Sequence, residues 1–191
     1  PPVGDDSVMV KSLSPSTAPA SLMIGMLLAA SPTVMFLVPP VPADTEFADM
    51  RAAYDALSDD MKEQLEGLRV QHSIAYSRSL LGFEFSEKEM QTLKGAVHPL
   101  VRDLPGGRKS LYLASHAAAI VAWPLAEARL LLRDLTEYAT RPEYVYRHSW
   151  RVGDLVIWDN RATMHRATLF DDTKYRRELR RVTTLDLPKH H

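Results

Sequence analysis

From Ser12 to Ala43 the chain carries no charged residue, and within that run "ASLMIGMLLAASPTVMFLV" is almost wholly apolar. Side chains of this kind are driven out of water, so most of the run must be covered by protein or by lipid. Three readings follow. A membrane span needs about 20 apolar residues, but Pro32 and the interspersed Gly, Ser and Thr interrupt this one. A secretory leader is suggested by Lys11, the apolar run and "LLAAS", although the proline-rich residues around it fit that pattern poorly. A covered segment ending in a strand at "TVMFLV" is the third reading, since a strand buried on both faces reads as a continuous apolar run.

The remaining bulk properties act mainly by exclusion. With 191 residues the chain is expected to form one domain, or one and a part, with a sizeable core. Lys and Arg number 23 against 24 Asp and Glu, which gives no electrostatic case for nucleic acid or an anionic membrane surface. The absence of cysteine excludes disulfides, thiolate metal sites and cysteine nucleophiles, so any metal must be held by His, Asp or Glu. The first residue is Pro1, from which a fragment or a processed product is expected.

Local patterns then place the elements. Asp44 or Thr45 is expected to cap a helix over "TEFADMRAAYDAL", with Phe47, Met50, Tyr54 and Leu57 on its apolar face. Ser58 is expected to cap a second helix over "DDMKEQLEGL". "HPLVRDLPGGRKSLYL" reads as a hairpin turning at Pro105-Gly106-Gly107. Pro124 opens a helix to about Ala139, with Ala128, Leu131, Leu132, Leu135 and Tyr138 inward. The last fifty residues are strand-like: "EYVYRHSW", "DLVIW" and "RRELRRVTTLDL". Helices followed by terminal strands indicate a mixed domain built around a sheet or barrel.

Chemistry-bearing residues concentrate near the C-terminus. No phosphate loop or nucleophile elbow is present. In "GDLVIWDNRATMHRATLFDD", strand-formers run into a turn at Asp159-Asn160 and leave His165 beyond it. In "YRRELRRVTTLDL" a strand would put Arg177, Leu179, Arg181 and Thr183 on one face, with Arg176, Arg180 and Val182 on the other. Two inward guanidiniums would each need an anion, and a planar guanidinium suits a carboxylate. Which face turns inward is left open by the pattern alone.

Taken together, "DTEFADMRAAYDAL", "HPLVRDLPGGRKSLYLASHAAAIVAWP" and "GDLVIWDNRATMHRATLFDD…RRELRRVT" resemble the taurine / 2,4-dichlorophenoxyacetate dioxygenase family. The resemblance runs from about Val38 to Leu187. It implies an α+β fold with a double-stranded β-helix, or jelly-roll, core and flanking helices. It also implies dependence on Fe(II) and 2-oxoglutarate, and hydroxylation of a small anionic carboxylate or sulfonate. By the same resemblance His165 corresponds to the distal iron-binding histidine and is the candidate catalytic and metal residue. Thr45 and Arg177 correspond to the pair that grips the far carboxylate of 2-oxoglutarate. Arg181 corresponds to the arginine that holds an acidic substrate, and His116 lies where substrate-side elements fall. Trp158, Asn160 and Arg161 correspond to the block around the metal strand, while Tyr112 and Trp123 are read as packing. The resemblance further implies a cytoplasmic protein, with self-association common among its members, and no nucleic-acid or membrane partner.

One part of the family pattern is missing. The resemblance implies a His-x-Asp or His-x-Glu pair upstream of the threonine. None of the seven histidines has an acid two residues later, and a gapless count back from Thr45 falls on Ala18 and Ala20. Residues 1–37 are therefore expected to be an atypical N-terminal segment, truncated or altered relative to the family. Residues 38–191 are expected to be a partial dioxygenase domain. With two of three iron ligands missing, activity is expected to be impaired or lost. The alternative is a non-catalytic protein that binds small carboxylates, or a scaffold.

Overall fold

The computed structural model describes residues 8–12, 32–86, 89, 93 and 95–184. Most of the charge-free run, including Ala18 and Ala20, lies outside the described residues. Among those described, no helix is long and apolar enough to cross a membrane.

In chain order the strands and helices begin with β1 (Val8–Ser12), β2 (Thr33–Leu37), β3 (Thr45–Asp49), α1 (Met50–Asp55) and α2 (Asp59–Leu65). Next come β4 (Arg69–His72), α3 (Ile74–Ser79), β5 (Ala96–Pro99), β6 (Val101–Asp103), β7 (Lys109–Leu111) and β8 (Ala117–Ile120). The chain continues through α4 (Leu125–Ala139), a short 3-10 turn (Pro142–Tyr144) and β9 (Val145–His148). It ends with β10 (Asp154–Trp158), β11 (Thr163–Ala167) and β12 (Glu178–Arg181). These elements fall into two units, one formed by residues 1–49 with 145–191 and the other by residues 50–144. Residues 33–37, which the expected division assigns to the N-terminal segment, form β2 and pair with β10 and β12 of the first unit.

The first unit holds two antiparallel sheets, ordered β1-β10-β2-β12 and β11-β3-β9. The predicted strand at "TVMFLV" is β2, and "DLVIW" is β10. Alternation along β10 buries Asp154, Val156 and Trp158 and leaves Leu155 and Ile157 half-buried, as the two-residue period of a strand requires. Met35, Phe47, Trp150, Val156 and Trp158 form the core of this unit, with Val38 and Leu179 packed against it. The outer side of the β11-β3-β9 sheet carries charge. Glu46 meets Arg166 at 2.7 Å, and Arg147 meets Asp44 at 2.7 Å. These arginines are exposed, so each pair contributes roughly 0–1 kcal/mol.

The expected helix over "TEFADMRAAYDAL" is corrected at its first turn. Thr45–Asp49 is strand, and the helix begins only at Met50. Phe47 pairs with His165 on one side and Tyr146 on the other, and none of its surface is exposed. Two flanking strands satisfy the backbone of this segment and cover its aromatic ring, and that tertiary gain overrides the local helical periodicity.

In the second unit, β5-β4-β8 form one sheet and β6-β7 a hairpin. The hairpin turns as predicted, with Gly106 at φ 85° and Gly107 at φ 80°, a left-handed conformation that a side chain would strain. Ser58 caps α2 by accepting a hydrogen bond from the Met61 backbone N–H at 3.2 Å. Helix α4 follows Pro124 directly and buries Ala128, Leu132, Leu135 and Ala139. It packs on β8, while α1 packs on β7.

Because Phe47 is fully covered and touches Trp158, Tyr146 and His165, Phe47→Ala should destabilise the protein by about 3–5 kcal/mol. Urea denaturation followed by tryptophan fluorescence checks this. A loss below about 1 kcal/mol would show that the aromatic layer is not the core of this unit.

Candidate functional site

The first strand of the β11-β3-β9 sheet to appear in the chain, β3, opens with a polar residue at a buried position. Thr45 is buried, and its Oγ1 accepts two hydrogen bonds, from Trp150 Nε1 at 2.9 Å and from Arg177 Nη2 at 3.0 Å. Arg177 immediately precedes β12, where a register irregularity between Glu178 and Leu179 interrupts the ladder with β2. Such a bulge re-aims neighbouring side chains. Of the two strand faces left open by the sequence, the one bearing Arg177 and Leu179 turns inward. Leu179 packs on the core, whereas Arg176 and Arg180 are exposed and Val182 is 55% exposed.

Arg177 is half-buried, and its Nε is a buried donor with no partner. Desolvation lowers its pKa from the usual arginine value, with Asp44 opposing that shift. A covered guanidinium N–H without an acceptor is costly. An acceptor that reached Arg177 Nε would satisfy it. A cavity of about 450 Å³ opens next to Arg177, lined also by Phe170, Lys174, Tyr175 and Leu179. Neither Thr45 nor His165 lines it, so it adjoins this pair without containing it.

His165 sits in the middle of β11, after the turn that Asp159 and Asn160 make at the end of β10. Asp159 holds that turn together by accepting from the Arg161 backbone N–H at 2.8 Å and from its guanidinium at 2.7 Å. Trp158 donates to Asn160 Oδ1 at 2.9 Å. Trp158, Asn160 and Arg161 thus shape the β10-β11 connection. The His165 ring lies 4.8 Å from Trp158 and 6.2 Å from Phe47, centroid to centroid. Although the residue is exposed, crowding of protein around the ring lowers its pKa, and the Arg181 guanidinium lowers it further. Arg181 pairs with Thr33 at the end of β12 and is itself exposed.

A supporting group emerges that the sequence reading did not single out. His148 and Asp154 are both buried, and His148 Nε2 lies 3.2 Å from Asp154 Oδ2. Asp154 also accepts from the Arg151 backbone N–H at 2.9 Å. The His148 ring meets Trp150 edge-on at 4.6 Å. Desolvation lowers the His148 pKa while Asp154 raises it. A neutral ring with its proton on Nε2 satisfies both sides, because Tyr146 Oη lies 3.3 Å from Nδ1. Tyr146, His148 and Trp150 alternate in "EYVYRHSW", and that period of two was the signal available in the sequence.

His116 belongs to the second unit, in the turn before β8. Its Nδ1 lies 2.6 Å from Ser77 Oγ. Nearby in the same unit, His72, His98 and Tyr112 pack ring against ring at 5.3–5.5 Å, and the Arg102 guanidinium lies 3.9 Å from the Tyr112 ring centre. The structure therefore brings Thr45, Arg177, His165 and Arg181 into the first unit and places His116 in the second. Among the described residues no group of three His, Cys, Asp or Glu side chains could hold a metal ion.

Comparison with known proteins identifies the class of protein to which this fold belongs. Residues 35–183 match the model of the family described as "Taurine catabolism dioxygenase TauD, TfdA family", and the chain belongs to that family. It is 52% identical over 151 residues to the alpha-ketoglutarate-dependent 2,4-dichlorophenoxyacetate dioxygenase of Burkholderia sp. (strain RASC), covering 78% of this chain and 50% of that protein. It is 43% identical over 148 residues to the (S)-phenoxypropionate/alpha-ketoglutarate-dioxygenase of Sphingobium herbicidovorans, covering 73% and 52%. Among solved structures, AAD-2 in complex with Mn(II) and N-oxalylglycine superposes with a TM-score of 0.79 at 50% identity, covering 82% of this chain and 62% of that one. The chain thus spans about half the length of the curated relatives it matches. The fold is α+β with the jelly-roll core and flanking helices that the sequence resemblance implied.

The His72 cluster gives a pH prediction. Burial, with His98, His116 and Arg102 nearby, lowers the His72 pKa from 6.5 to about 4. The folded state holds this ring neutral, so between pH 6.5 and 4 the unfolded chain binds the extra proton. The stability that His72 contributes is complete above its unfolded value and is lost as pH falls toward 4. In His72→Gln, urea midpoints measured from pH 7 to 4 should fall less steeply than in the unsubstituted chain. Equal slopes would show that His72 titrates alike in both states.

Proposed function

We propose that the chain derives its role from an iron(II)/2-oxoglutarate-dependent dioxygenase acting on a small anionic molecule, a carboxylate or sulfonate. We further propose that it keeps the cosubstrate grip while its catalytic step is impaired or lost. The observation that carries this reading is the Thr45–Arg177 contact at 3.0 Å with Arg177 Nε buried and unpartnered. A carboxylate placed there would accept from the guanidinium and from the Thr45 hydroxyl. That is the arrangement that charge-assisted recognition favours, and the distal carboxylate of 2-oxoglutarate is the group we assign to it.

On this reading the substrate's acidic group is oriented by Arg181, which is exposed and electrostatically coupled to His165. His116 would contribute on the substrate side. His165 would supply an imidazole toward a metal. The described residues around it do not fit iron(II), however. Its ring neighbours are Trp158 and Phe47, with a guanidinium adding positive charge, and the positions counted for the paired ligands are Ala18 and Ala20. One neutral imidazole does not retain a divalent ion against water. The second reading, a non-catalytic protein that binds small carboxylates, is favoured by the same contrast between an intact anion side and a depleted metal side.

Calorimetry with 2-oxoglutarate and no metal should show binding. Arg177→Ala should weaken it roughly tenfold or more, and unchanged binding in that variant would sink the assignment. Anaerobic titration of iron(II) with 2-oxoglutarate should give no visible charge-transfer band in this chain, whereas a band would show that a metal chelate forms and would overturn the reading that the metal is not held.

A further inference from the structure

We propose that Trp150 is a positioning residue for the bound carboxylate, because its indole N–H and Arg177 Nη2 together occupy the acceptor lone pairs of Thr45 Oγ1 and leave the hydroxyl proton free to be donated. The inference rests on the assignment of a carboxylate to the Thr45–Arg177 pair and adds a residue that does not touch the ligand.

The argument is a count of donors and acceptors. A hydroxyl has one proton and two lone pairs. At Thr45 both lone pairs are used, by Trp150 Nε1 at 2.9 Å and by Arg177 Nη2 at 3.0 Å. Neither partner can accept a hydrogen bond, since an indole nitrogen and a guanidinium only donate. The Thr45 hydroxyl makes no donated hydrogen bond among the described residues. With both lone pairs engaged, the hydroxyl rotor is held in one orientation before any ligand arrives. A carboxylate arriving beside Arg177 Nε then meets a preset O–H donor, so it bears little ordering cost.

The indole is itself held in place. Trp150 is 6% exposed and belongs to the core with Phe47 and Trp158. The His148 ring closes on it edge-first at 4.6 Å, and the Asp154 carboxylate fixes that ring at 3.2 Å. Asp154 is anchored in turn by the Arg151 backbone N–H. His148 stands directly across from Thr45 in the β3-β9 ladder, so the wedge that holds the indole is in register with the residue the indole aims. A purely structural tryptophan would need only its ring. Here its one polar atom is spent on the residue that would face the ligand.

The test is a double-mutant cycle read by calorimetry with 2-oxoglutarate, in the absence of metal, on the unsubstituted chain, Trp150→Phe, Thr45→Val and the double variant. Trp150→Phe should weaken binding roughly three- to tenfold, and it should have no further effect once Thr45 is Val. Equal factors in both backgrounds would show that Trp150 acts through packing alone and would overturn the proposal. So would unchanged affinity in Trp150→Phe. If the unsubstituted chain binds nothing, the carboxylate assignment itself fails; if it binds and Thr45→Val weakens it while Trp150→Phe does not, only the positioning role fails. A second measurement does not need Trp150→Phe to fold. In ¹⁵N spectra, hydrogen exchange at the Trp150 indole N–H should speed up at least several-fold in Thr45→Val relative to the unsubstituted chain. An unchanged rate would mean that the indole does not depend on that hydroxyl.

Discussion

The Thr45 hydroxyl oxygen is the point at which this structure's packing becomes chemistry. It lies on β3 of one sheet and receives Arg177 from the lead-in to β12 of the other, so a single buried atom ties the two faces of the first unit together. Trp150 reaches the same atom from the segment after β9. Burying a hydroxyl, an indole N–H and a guanidinium in one small volume is tolerable only because each finds a partner. The exception, Arg177 Nε, marks where a ligand would complete the set. Loss of the Thr45 hydroxyl would leave both the Trp150 indole N–H and Arg177 Nη2 without this acceptor.

Around that atom the structure divides its labour by strand face. The inner face of β11-β3-β9 carries Phe47, Tyr146, His148 and His165 in ring contact with one another or with Trp158 and Trp150. The outer face carries Glu46 with Arg166 and Arg147. This separation follows from the two-residue period of a strand, and it lets polar and aromatic groups meet inside without exposing the core. Histidine suits the inner layer because it packs as a flat ring while keeping two nitrogens for hydrogen bonds. His148 uses one on Asp154 and the other on Tyr146.

On the proposed reading, the cosubstrate grip and the metal ligands rest on different elements. The residues of the proposed grip, Thr45 and Arg177, come from β3 and the approach to β12, and both strands pair within the described sheets. The positions counted back from Thr45 for the paired ligands, Ala18 and Ala20, fall in the charge-free run, which contains no His, Asp or Glu. Family membership therefore fixes the scaffold, while function has to be argued from the site's own side chains.

The sequence by itself determined a good part of this picture. The strands at 33–37 and 154–158, the Ser58 cap, the Gly106-Gly107 hairpin and the helix after Pro124 were legible because each rests on local stereochemistry or on the period of its apolar residues. The block from Trp158 to His165 and the arginines near residue 180 were legible through their resemblance to the family, whose model matches residues 35–183. Only the tertiary structure decided that Thr45–Asp49 is a strand, since two flanking strands and a fully covered Phe47 outweigh a helical periodicity that local residues alone would favour. It also decided which arginine face turns inward, because alternation defines two faces and only packing, here of Leu179 on the core, selects one. The partnership of Thr45, Trp150 and Arg177 was beyond any local reading: its members are 105 and 132 residues apart in the chain, and a hydrogen bond over that separation exists only once the sheets have brought its ends together.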